Sequence, residues 1–209
     1  MEKKNIEITL ETAREWYNSN LILRDVALQA FSEEELKYDF KDIKTFEDAI
    51  KALGYDKVAI NNIIRDINCY SHASAAMFKL NIVRKALNSG QDLYLTKDSS
   101  VYYTSNPLIT KYSNYYDKNL ILGTMEIIGK IKSEGEEYYV LGGSVGFSSG
   151  TGLGCLRSKS IGGTSINTSV LGCASKEIAR HFSKYFGMLI TEAKYGDLSD
   201  FQIIERKYE

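Results

Sequence analysis

The sequence predicts an α+β fold: a helical N-terminal half followed by an antiparallel β-sheet packed against a C-terminal helix. Three observations predict it. Up to residue 90, apolar side chains recur at helical spacing. From Gly90 the period shortens to β-branched and aromatic runs separated by turn residues. After Ser175 a helical stripe returns. The boundary divides the chain into a helical region, 1–90, and a region of sheet plus C-terminal helix, 91–209. With 44 % hydrophobic residues and a single proline, Pro107, the 209 residues are expected to form one compact unit.

The elements follow in order. "TLETAREWY" starts a helix at Thr9 or Thr12, with Leu10, Ala13 and Trp16 on one side; "NSN" interrupts it, and "LILRDVALQAF" resumes. "SEEEL" has the capping-box pattern, Ser32 accepting from the third amide while Glu35 reaches back. In "TFEDAIKALG", Thr45 caps, Glu47 and Asp48 complement the positive helix end, and Gly54 supplies the left-handed stop. From Asp56 to Asn88 there is neither glycine nor proline, so the segment is helical to Gly90, as one helix or as two divided near Ser71. "DLYL", "VYYT", "MEIIGKIK", "EEYYVLGGSVGF" and "SINTSVLGC" read as strands, and Ser133-Glu134-Gly135 as a hairpin turn. Ser175 caps the last helix, whose stripe is Ile178, Phe182, Phe186, Leu189, Ile190 and Ala193; the tail from Tyr195 frays or forms a short strand.

Residues 142–173 hold nine of the sixteen glycines. Gly142-Gly143-Ser144-Val145-Gly146 has the letters of a hydrolase elbow, but β-pattern rather than a helix follows it. "GTGLGC" lacks the third glycine of a dinucleotide fingerprint, and no glycine precedes Lys and then Ser or Thr as in a P-loop. The stretch therefore reads as strands with glycines at bulges and turns.

Catalytic chemistry has little else to stand on. Cys69 and His72 are three apart on what reads as one helix, with Cys173 and His181 far along the chain; a buried thiol and a half-exposed imidazole are expected rather than a zinc site. Carboxylate pairs sit in turns and at helix starts, as at Glu33–Glu35, Glu47-Asp48 and Glu136-Glu137. The expectation is a protein that is not an enzyme and uses neither cofactor nor metal.

Two patterns suggest binding. Fifteen tyrosines are many, and Tyr102, Tyr103, Tyr138 and Tyr139 lie in strand segments where they would form an interaction or stacking surface. Residues 151–187 carry five basic side chains against Glu177 alone, whereas 1–48 carry seven against twelve acids. The helix start at Ser175, with Lys176 and Arg180 in its first turns and Arg157 and Lys159 upstream, is a candidate anion site. A net charge of −1 supplies no field for duplex nucleic acid and disfavours single strands. Three cysteines without framework spacing, no apolar signal core and no long apolar run predict a soluble protein in a reducing cytoplasm, off the membrane.

"VALQAFSEEEL", "IKTFEDAIKALG", "AAMFKLNIVRKALNSG" and "LGCASKEIARHFSKYFGMLI", around a Gly/Ser-rich β region, together resemble a widespread group of small proteins encoded by phages and prophages of gut Bacteroidales. The similarity runs over residues 8–195 and is weakest at 96–125. It specifies a family rather than a chemistry, and carries no site residues with it. The resemblance implies a phage accessory protein in the host cytoplasm or the virion, acting by binding or assembly, with a homo-oligomer built through the tyrosine-rich strands. The alternative is an anti-defence protein that sequesters a nucleotide-derived signal, or inhibits a host defence protein. Its partner is correspondingly a protein or a small phosphate-bearing ligand.

Overall fold

Side-chain caps start the helices from residue 33 onward. The computed structural model describes residues 7–19, 21–91, 100–106, 108–110, 123, 125–133, 135–149 and 172–208. Helices α1 (Leu10–Ser19), α2 (Leu21–Ala30) and α3 (Glu33–Leu36) bury a small core of Ala13, Tyr17, Ala27 and Leu36 among themselves. Ser32 and Glu35 close the expected capping box on α3. A 3₁₀ turn, Phe40–Asp42, precedes α4 (Phe46–Ala52), where Thr45 and Asp48 form a second box and Gly54 turns at φ +64°. Asp56 caps α5 (Lys57–Cys69) and Ser71 caps α6 (His72–Leu87). Cys69 and His72 therefore sit on two helices, not one, and Cys69 is exposed rather than buried. The Ser71 cap ends the run that residue spacing alone joins.

Among the described residues the β part forms two antiparallel sheets. Strands β2 (Leu108–Ile109), β3 (Glu126–Ser133), β4 (Glu136–Gly142) and β6 (Gln202–Arg206) are ordered β2-β4-β3-β6, and β1 (Ser100–Ser105) pairs with β5 (Ser144–Ser149). The β3–β4 hairpin turns through Gly135 at φ +80°, as the sequence predicts. The tail becomes edge strand β6.

Helix α7 (Lys176–Tyr195), capped by Ser175, lies between the helical half and the sheets. Ala179, Phe182, Phe186 and Ile190 meet Leu80, Val83 and Leu87 of α6 and Ile43 in the main core. Met188 joins Ile128, Ile131 and Val140 beneath the four-stranded sheet. The helix comes unusually close to the strands. A β-carbon on Gly142 would stand 2.6 Å from Ile128 Cγ2 and 3.1 Å from the Lys184 backbone, and one on Gly187 would collide with Asn106 and Ile128. Among the described residues, no helix is long and apolar enough to cross a membrane.

Candidate functional site

Four distant segments converge on one cleft of roughly 470 Å³. That volume lies in the range of small-molecule sites. On α6, His72, Ala75, Ala76 and Lys79 share a face by helical spacing, and the two alanines leave the space between the helices open. On α7, Tyr185, Phe186, Met188, Leu189 and Glu192 face them. Phe46 and Glu47 of α4 line the cleft from a third side, and Arg206 and Tyr208 of the C-terminal segment line it as well.

The polar end is built around one carboxylate. Glu192 is 8 % exposed, and Arg206 donates from NH2 to its Oε1. His72 Nε2 stands 3.7 Å from the same oxygen. A buried carboxylate persists only with such compensation. Arg206 keeps further N–H donors beyond the one used here. At this end Asp197 ties the two helices together: the Ser71 hydroxyl donates to Oδ2 at 2.7 Å and the Ala73 amide to Oδ1 at 2.9 Å. Those bonds, the Ala73 amide first, hold the Asp197 carboxyl below its ordinary range.

Toward α4 the lining is aromatic, with Lys79 and the carboxylate of Glu47 beside the rings. Lys79 Nζ lies 5.7 Å from the centre of the Phe46 ring and has no carboxylate partner among the described residues. Tyr185 and Tyr208 pack with centroids 4.7 Å apart. Behind Tyr208, Glu126 accepts from Lys184 at 2.7 Å, from Lys207, and from the Tyr208 hydroxyl at 3.0 Å. Partial burial pushes the Glu126 carboxyl up, but these three donors outweigh it and hold it low.

His181, the other histidine, docks the 3₁₀ segment onto α7 instead of entering the cleft. Its Nε2 donates to the Ile43 carbonyl at 2.7 Å. Burial, and the charges of Lys44 and Lys184, push its imidazole below the ordinary range, against the pull of that hydrogen bond. The unfolded chain binds this proton near about pH 6.5, earlier than the folded one. Stability is therefore complete above that pH and falls below it, until the folded imidazole also protonates. Thermal midpoints are expected to drop between about pH 7 and about pH 5, and the drop should be smaller in His181→Gln.

Of the anion-binding and stacking residues singled out in the sequence, none that is described lines this cleft. Ser175 Oγ accepts the Ile178 amide at 3.2 Å as a cap. The Glu177 carboxyl is held low, first by its own backbone amide and then by the Ser175 hydroxyl. Lys176 and Arg180 are exposed. Arg157 and Lys159, like the side chain of Tyr103, lie outside the described residues. Tyr102 packs on the main core beside Cys173, with which it exchanges backbone bonds of 2.8 and 3.0 Å. Tyr138 packs with Ile131 and Met188, whereas its neighbour Tyr139 points to the opposite face, beneath Lys130 at 5.3 Å. Cys173 is buried and its thiol is pushed up to about 12, so it holds no thiolate at neutral pH. Among the described residues, no cluster of three or more His, Cys, Asp or Glu side chains is arranged for a metal ion.

Sequence reasoning passed over Glu192, Arg206, Lys79 and Tyr208. One signal was present: Glu192 is a carboxylate set among the apolar positions of the last helix, where a buried charge requires a partner. In comparisons with known proteins, no family model, curated protein or solved structure matches the chain.

Proposed function

We propose that the chain is a non-enzymatic binding protein whose α6–α7 cleft receives a small phosphate-bearing ligand with a flat ring. The observation that supports this most is the joining of aromatic walls to basic groups in one concavity. Phe46, Tyr185 and Phe186 offer rings, while Lys79, Arg206 and His72 offer donors around them. In the phage setting that the resemblance implies, such a protein acts as an accessory factor that sequesters a nucleotide-derived signal. This reading stands above assembly through tyrosine-rich strands, because rings and donors gather in one concavity, whereas Tyr138 and Tyr139 face opposite sides of β4.

A thermal-shift and calorimetric screen against nucleosides, nucleoside monophosphates, cyclic nucleotides and inorganic phosphate tests it. Phosphate-bearing, ring-bearing compounds are expected to stabilise the protein, and nucleosides alone much less. His72→Ala with Lys79→Ala leaves the Glu192–Arg206 pair intact, and is expected to weaken binding by about tenfold or more, the worth of one charge-assisted hydrogen bond. No shift with any phosphate compound at millimolar concentration would sink the reading.

A further inference from the structure

From the cleft outward, four partly exposed rings follow one another. Phe40 meets His181 edge-on with centroids 5.5 Å apart, His181 lies 4.5 Å from Tyr185, and Tyr185 lies 4.7 Å from Tyr208. None of the four is fully buried. Four lysines lie against the same rings. Lys41 stands 5.7 Å from Phe40 and Lys44 5.8 Å from Tyr185. Lys184 stands 5.4 Å from both Tyr185 and Tyr208, and Lys207 5.3 Å from Tyr208.

Two carboxylates answer these four cations. Asp39 is 4.0 Å from Lys41, and Glu126 engages Lys184 and Lys207. Lys44 is exposed and has no carboxylate partner among the described residues. The ladder is thus locally basic on a chain whose total charge is −1. The near-neutral total, which disfavours nucleic acid when spread evenly, is here resolved into a basic track. Because Tyr185 and Tyr208 also line the cleft, the track leads out of it.

Rings interleaved with ammonium groups complement a strand of nucleotides, which presents flat bases and one phosphate per residue. A mononucleotide would leave Lys41, Lys44 and Phe40 unused. An acidic peptide would use the lysines but not the rings. A duplex presents its bases edge-on and needs a far broader basic face. We infer that the ligand is a short single-stranded oligonucleotide, with one nucleotide in the cleft and the following phosphates along Lys184 and Lys44. This inference rests on the cleft reading and extends it.

Fluorescence anisotropy with labelled ribo- and deoxyribo-tetranucleotides, competed by the matching mononucleotide, separates the two readings. The tetranucleotide is expected to bind about tenfold tighter or more than the mononucleotide. Its affinity should fall with salt at a log–log slope of about −1.4 to −2, as for two or three phosphates neutralised on a single strand. Lys41→Glu with Lys44→Glu alters exposed side chains only; with an unchanged thermal midpoint, it should weaken tetranucleotide binding by about tenfold and leave mononucleotide binding unaltered. A tetranucleotide that binds no tighter than the mononucleotide overturns the inference and leaves the cleft reading standing. So does a double variant that weakens both ligands equally. Binding of neither ligand overturns both.

Discussion

Replacing Arg206 by methionine is expected to destabilise the protein by about 3–5 kcal/mol, the usual result of stranding one member of a buried ion pair. The large value follows from the position of Glu192. Its side chain is 8 % exposed and its Oε1 receives Arg206, with His72 next at 3.7 Å, too far for a hydrogen bond. Losing the guanidinium leaves a buried carboxylate with a mostly exposed imidazole as its nearest compensation. At about 2–4 °C per kcal/mol for a chain of this size, the thermal midpoint should fall by roughly 6–20 °C. Glu192→Gln in the same protein should recover most of that loss, since it removes the stranded charge. A double-mutant cycle reads the coupling directly. An Arg206→Met protein as stable as the parent would show that Glu192 is not held by this pair.

Gly187→Ala is the second large effect, and its sign is diagnostic. In an exposed helix, alanine for glycine is favourable by about 0.5–1 kcal/mol. Here the added methyl would run into the Asn106 side-chain amide and the Ile128 methyl. Asn106 is buried and donates at 2.9 Å both to the Leu141 carbonyl of β4 and to the Ser183 carbonyl of α7. Moving it breaks the polar tie that seats the helix on the sheet. Overpacking costs about 1–3 kcal/mol, and the lost hydrogen bonds add to it, so a net loss is expected in denaturant unfolding. A gain would show that α7 stands further from the strands than described.

What was legible in the sequence is mostly local. Ser32, Thr45 and Ser175 each announce a helix start through a bond spanning three residues, and Gly135 announces its hairpin through the backbone conformation only glycine adopts freely. The helical half, the antiparallel strands and the closing helix follow from these signals and from apolar period. The cleft does not, because its parts come from separate elements: His72 opens α6, Glu192 ends α7, and Arg206 lies in an edge strand. Pairing over such separations is decided by packing, on which local pattern is silent. The same limit explains the tyrosines. Tyr138 and Tyr139 are adjacent in a strand and so face opposite sides, whatever their density in the sequence suggests. The glycine-rich stretch is clarified at one end: Gly142 is small because the α7 backbone passes over it.

The central claim is that the cleft, not the Ser175 helix start, receives the anionic ligand. Mapping backbone amide resonances during titration with a nucleoside monophosphate tests it most directly. Saturable shifts are expected at His72, Ala75, Ala76, Lys79, Leu189 and Tyr208, with little change at Lys176 and Arg180. Shifts clustered at Ser175–Arg180 with the cleft unmoved would contradict it.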